Sequence, residues 1–246
     1  MNFIRYEGTS DDYCSGDTVL HTLIYNNDVE EIIDIVPELV KAGANIFEKN
    51  DWSHSLLHYA AGQEDGSPLV EYFLQNGLGI NERDKNGLTP LNHAIITHEM
   101  TGYIDTIECL LEHGADTNLL NACDGSNAFI SSVATYDFYK CPTEKELSNF
   151  GNITMLLIKY GFNINTQDDK GMSALHSYLK WQHGCETSDN LLTVEKFVEL
   201  GISPDLRNNN NKLASDIAPL NFLNCREYLK SVENDILGPK CAYKVT

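Results

Sequence analysis

Two histidines four residues apart, His54 and His58, come nearest to metal chemistry in this chain. Imidazoles at that spacing on a helix face would supply half of a helical zinc site. The metalloprotease form needs a glutamate directly after the first histidine, and Ser55 stands there. Two histidines without a third and fourth ligand specify little, so no metal site and no cofactor is expected. Thiols are the second candidate. Cys141 or Cys185 could pair with His183 as nucleophile and base, yet nothing orients a base toward either sulfur. The seven cysteines form no CxxC pair and are odd in number, which points to reduced thiols in the cytosol rather than a disulfide framework. No glycine-rich phosphate loop is present, and no carboxylate pair stands out from the general acidity. No catalytic residue is therefore expected.

Charge narrows the partners. With 36 acidic against 17 basic residues the formal charge is −19. Nucleic acid and anionic membrane would be repelled, because both are held by Lys and Arg. A basic protein would be attracted and steered, or the charge serves only solubility. No apolar run of about 18 residues exists, so no membrane span is expected. Met1 to Glu7 lack a basic segment followed by an apolar run, so no cleaved signal peptide is expected.

The elements that would position any site are clearest between Trp52 and Asp84. Ser55 can cap a helix whose apolar face is Leu56, Leu57, Ala60 and Ala61. Gly66, Ser67 and Pro68 break it, and Pro68 suits the first turn of the next helix. Leu69, Val70, Tyr72, Phe73 and Leu74 form the second apolar face. Gly77 can end that helix in the left-handed conformation, with Leu78 packing back on it. So small a unit cannot bury both faces alone and needs copies on either side.

The copies are present. The capping position recurs as Thr18, Thr89, Asn127 and Ser173, and the leucine position as Leu20, Leu91, Phe129 and Leu175. His58 recurs as His21 and His176 but becomes Asn92 and Ile130 in the other two copies. The closing glycine recurs as Gly43, Gly114, Gly161 and Gly201, at spacings of 34, 37, 47 and 40 residues.

This pattern resembles the ankyrin repeat family. The best local matches are Gly87-Leu88-Thr89-Pro90-Leu91-Asn92-His93-Ala94 followed by Leu110 to Asn118, and Leu56 to Ala61. The resemblance covers about residues 16 to 218. Only Pro90 keeps the family's proline after the cap, and the fourth copy, Asn127 to Ser132, is degenerate. The resemblance implies an all-α solenoid of paired antiparallel helices joined by short β-hairpin-like turns. It also implies that His58 bonds turn and backbone within the repeat.

The expected layout begins with residues 1–15 as an N-terminal extension or cap. Five repeats follow, at about 16–50, 51–83, 84–121, 122–167 and 168–207. Insertions fall near 135–151 and 180–191, a closing half-repeat at 208–237 and a tail at 238–246. Pro37 is expected to kink the second helix of repeat one. Thr143 and Glu146 form a capping-box pattern that makes part of the first insertion a short helix, and the second helix of repeat four is expected from Ile153.

In the family, turn tips and the inner helix face form a concave groove. By position this surface comprises Asp51, Trp52, His54 and Tyr59; Lys85, Asn86, Leu88 and His93; Asp124 and Ser126; Asp169, Lys170 and Met172. Trp52 is either a binding hot spot or a residue packed on the neighbouring turn. Tyr136, Tyr139 and Trp181 of the insertions admit the same two readings. The expected function is non-enzymatic binding of another folded protein, a basic one in the steered case, through an acidic groove. Irregular repeats and asparagine-rich composition resemble the ankyrin proteins of pathogens and large viruses, which implies an effector acting on a host protein in the cytosol. The chain by itself is expected to be a monomer. An enzyme with a Cys/His site on the insertions of repeats four and five, and an acidic mimic of nucleic acid, are the alternatives.

Overall fold

The computed structural model describes residues 16–98, 104–121, 125–127, 129–130, 144–181 and 188–237. Among these the secondary structure is helical, without strands, and the turns that resemble hairpins are closed by backbone bonds such as Asp84 N–H to the Leu88 carbonyl and Gly87 N–H to the Asp84 carbonyl. Repeat one contains α1 (Val19–Asn26), α2 (Val29–Ile32) and α3 (Ile35–Lys41). Repeat two contains α4 (Leu56–Ala61) and α5 (Ser67–Gln75), and repeat three α6 (Pro90–His98) and α7 (Asp105–Glu112). Beyond them lie α8 (Glu144–Lys159), α9 (Ala174–Trp181), α10 (Ser188–Glu199), α11 (Ala214–Ile217) and α12 (Leu223–Leu237).

Each first helix stacks on its counterparts: α4 packs against α1 on one side and α6 on the other, while α5 packs against α4 and α7. The recurring leucine position forms the spine. Leu20, Leu57, Leu91, Phe129 and Leu175 are all essentially excluded from solvent and belong to one continuous core. Each such side chain stabilises the stack by about 1.5–3 kcal/mol relative to exposure.

Capping residues act as their types dictate. Ser55 and His58 satisfy each other's backbone N–H groups at the start of α4, and Thr18 with His21 does the same for α1. Thr89, Asn127 and Ser173 accept from the N–H three residues ahead. After α5 the chain turns at Gly77, whose φ of 91° a side chain would resist. Leu78 N–H then reaches back to the Phe73 carbonyl at 3.1 Å.

Three elements differ from expectation. The break in repeat one falls at Ile33 and Asp34 rather than at Pro37. Pro37 sits in the first turn of α3, where its missing N–H is harmless. A proline ring clashes with the carbonyl four residues earlier, and that residue is Ile33. The helix expected from Ile153 begins at Glu144, so the later part of the 135–151 insertion continues into it. No proline interrupts the run, and Gly151 costs only about 1 kcal/mol. Likewise α10 opens at Ser188, inside the segment assigned to the second insertion. The closing unit carries a 15-residue helix, α12.

Candidate functional site

The site is built on the turn that precedes each first helix. Five residues before the cap, a short polar side chain folds over its own turn. Asn50 Oδ1 accepts from the N–H groups of Trp52 and His54 at 3.0 and 2.9 Å. Asp84 Oδ1 accepts from Asn86 and Leu88, both at 2.8 Å. Asp168 and Asn208 repeat the arrangement with Lys170 and Met172, and with Asn210 and Lys212. Such side chains mimic a backbone turn, which is why Asp and Asn alternate here. Neighbouring tips are joined by backbone bonds from Lys85 N–H to the Trp52 carbonyl and from Asn209 N–H to the Lys170 carbonyl.

Because Asp84 is a carboxylate, its second oxygen is left for other groups. The Nε2 atoms of His54 and His93 lie 3.2 and 3.1 Å from Asp84 Oδ2. The three side chains come from three places: the repeat-two turn, the repeat-three turn and α6. The Asp84 side chain is fully buried, whereas 10% of His54 and 23% of His93 remain exposed. The His54 and His93 rings meet edge to face with centroids 5.0 Å apart. His58 stands behind them, 5.1 Å from His93.

Burial pushes the Asp84 carboxyl upward, but hydrogen bonds from His54 and His93 outweigh it and hold the group ionised, below the usual carboxylate range. Burial lowers the His93 imidazole, only partly opposed by Asp84. His58 is lowered further, by burial and then by its histidine neighbours. At neutral pH the Asp84 carboxylate therefore faces the neutral imidazoles of His93 and His58.

His58 itself is committed elsewhere. Its Nδ1 faces the Ser55 N–H at 3.1 Å and the Ser55 hydroxyl at 2.8 Å, and its Nε2 faces the Leu88 carbonyl at 3.2 Å. The geometry therefore fixes the proton on Nε2. His54 lies before α4, not on it, so the spacing of four does not place the two rings on one helix face.

Among the groove candidates, Asp51, Lys85, Asp169 and Lys170 are exposed, and Trp52, Tyr59, Asn86 and His93 are half-buried. His54, Leu88, Ser126 and Met172 are buried, which corrects their assignment to the surface. Their backbones close the turns, and that requirement draws the side chains inward. The Tyr59 hydroxyl donates to Asp17 at 2.7 Å, and Asn50 Nδ2 donates to the same carboxylate at 2.8 Å. Asp124, Tyr136 and Tyr139 lie outside the described residues, as does the side chain of Trp181, as do Cys141, Cys185 and His183. Cys109 shows how little a nearby histidine guarantees. His113 Nδ1 is 3.8 Å from its sulfur but 2.8 Å from the Cys109 carbonyl, to which it donates. Burial, with help from Glu71 and Glu112, pushes the thiol up to about 11.

Reading the sequence alone missed Asp84, Asn50 and Asp17. The signal was available: Asn50, Asp84, Asp168 and Asn208 all stand five residues before the first helix's cap position.

A family model described as ankyrin repeats in three copies matches residues 20–121. The chain is 36% identical over 110 residues to ankyrin repeat protein L86 of Acanthamoeba polyphaga mimivirus, a match covering 45% of this chain and 19% of that protein. It is 28% identical over 163 residues to the B-cell lymphoma 3 protein homolog of Mus musculus, covering 65% of this chain and 32% of that one. The chain thus spans about a fifth to a third of these relatives. Among solved structures, the ankyrin repeat domain of Bcl-3 superposes with a TM-score of 0.61 at 24% identity, covering 86% of this chain and 81% of that one.

Proposed function

Since the chain belongs to the ankyrin repeat family, whose repeats generally mediate protein–protein interaction, we propose that it is a non-enzymatic scaffold binding one folded protein along its turn tips and inner helix face. The observation that carries this reading is the bonded row of tips. Lys85 N–H to the Trp52 carbonyl and Asn209 N–H to the Lys170 carbonyl order the edge before any partner arrives. A pre-ordered surface loses less entropy on association. Trp52, Tyr59, Asn86 and His93 line that edge half-exposed, and Asp51, Lys85, Asp169 and Lys170 stand out from it.

The net charge of −19 favours a basic partner, steered toward the groove. Viral relatives support a host protein as target and the host cytosol as the place of action. The buried thiol of Cys109, which is in no disulfide, suits a reducing compartment.

The test is affinity capture with mass spectrometry, followed by titration of the recovered partner. Trp52→Ala, with an unchanged unfolding midpoint, should weaken binding at least about tenfold. Rising salt should weaken it further. Binding indifferent to Trp52, Lys85 and Lys170 substitutions would overturn the groove.

A further inference from the structure

We propose that His54, Asp84 and His93 form a binding site for a zinc-class divalent cation that staples repeat two to repeat three. The three ligand atoms lie within 4.8 Å of one another. Two of their separations, 3.2 and 3.1 Å, are close to the edge of about 3.3 Å that a tetrahedral ion with bonds of 2.0–2.1 Å requires. Two imidazoles and one carboxylate select zinc-class ions over magnesium or calcium, which prefer all-oxygen shells.

The supporting shell is in place. Asp84 Oδ1 is held by the N–H groups of Asn86 and Leu88, so the carboxylate cannot swing away from Oδ2's partners. His54 and His93 remain 10% and 23% exposed, so a water molecule from solvent would complete the coordination.

Binding requires a change of tautomer. Each Nε2 gives up its hydrogen bond to Asp84 and presents its lone pair to the metal, with the ring proton relocated to Nδ1. In a neutral ring this moves the proton from one nitrogen to the other and releases none. Asn50 Nδ2, 3.5 Å from His54 Nδ1, keeps Asp17 and Tyr59 as partners when that weak contact is lost.

The experiment is calorimetric titration of zinc chloride into the whole chain, with magnesium chloride as control, and cobalt(II) chloride as spectroscopic probe. One tight equivalent of zinc is expected, with a rise in unfolding temperature and the visible absorption of a four-coordinate cobalt centre. Supporting groups alone are worth about 10–100-fold in affinity, so His93→Gln should cost at least about 100-fold. Asp84→Asn is the fold-preserving check, because Asn50 and Asn208 hold the same turn with an amide. It too should abolish tight binding. Zinc bound equally well by both variants, spread over several weak sites, or giving thiolate-to-cobalt charge-transfer bands would overturn the proposal. So would the absence of a tight equivalent in the unsubstituted chain.

Discussion

The Nε2–H of His58 donates to the Leu88 carbonyl, 30 residues ahead, at 3.2 Å, and so ties one repeat to the next. His21 makes the same bond to the His54 carbonyl at 3.2 Å, and His176 to the Lys212 carbonyl at 3.0 Å. Each ring accepts at Nδ1 from its cap and donates forward at Nε2, so one side chain serves helix start and repeat junction together. Removing it leaves a buried carbonyl and a cap short of a partner. His58→Ala should therefore destabilise the chain by about 2–4 kcal/mol, from a lost buried bond at each nitrogen and a cavity. Urea unfolding followed by circular dichroism would measure it.

Repeat three lacks this tie. Asn92 accepts from the Thr89 hydroxyl at 2.7 Å, but its Nδ2 is buried without a hydrogen-bond partner. The amide is too short to reach the Ser126 carbonyl, which corresponds to the acceptors used by the histidines. Asn92→His should restore the tie and raise stability by about 1 kcal/mol. A lower urea midpoint would show instead that the junction there is too tight for a ring.

These junctions mark how far sequence reading reaches. Caps, spine leucines and closing glycines are local or periodic, and Thr18, Leu57 and Gly77 all stand where their types and spacing put them. Proximity across repeats is a different matter. His54 and His58 are near in sequence, yet His54 shares its carboxylate with His93, and Asp84 arrives from the following turn. Nothing local announces that meeting; only aligning the turns shows Asp84 standing where Asn50 stood. Burial was equally hidden. Leu88 and Met172 lie on tips by position, but their carbonyls bind Asp84 and Asp168 N–H and their side chains turn inward.

Acid should loosen the far end of the stack through His176. Burial lowers its imidazole from the ordinary 6.5, against the opposing pull of the Lys212 carbonyl and Asp168. The unfolded chain then takes up a proton that the folded chain refuses. Stability is full above about pH 6.5 and falls as pH drops toward the folded value. Urea midpoints measured from pH 7.5 downward in metal-free buffer should decline, and His176→Asn should flatten that decline. An unchanged slope in the variant would place the acid sensitivity elsewhere.

Glu233 acts with the opposite sign. It is buried on α12, one oxygen accepting from the Ser215 hydroxyl at 3.0 Å and the other without a hydrogen-bond partner. Burial raises its carboxyl above the ordinary 4.5, against the bond from Ser215, and nearby Asp216 adds to the rise. A raised carboxyl favours folding below the unfolded value and loses that advantage as pH rises through the folded one. At neutral pH the closing helix therefore holds a charge it would be more stable without. Glu233→Gln keeps the shape and an acceptor for Ser215 while removing the ionisation. It should stabilise the chain by about 1 kcal/mol at pH 7.5 and by less at pH 4.5, where less of the carboxyl is ionised. Equal gains at both pH values would mean that packing, not charge, limits the docking of α12.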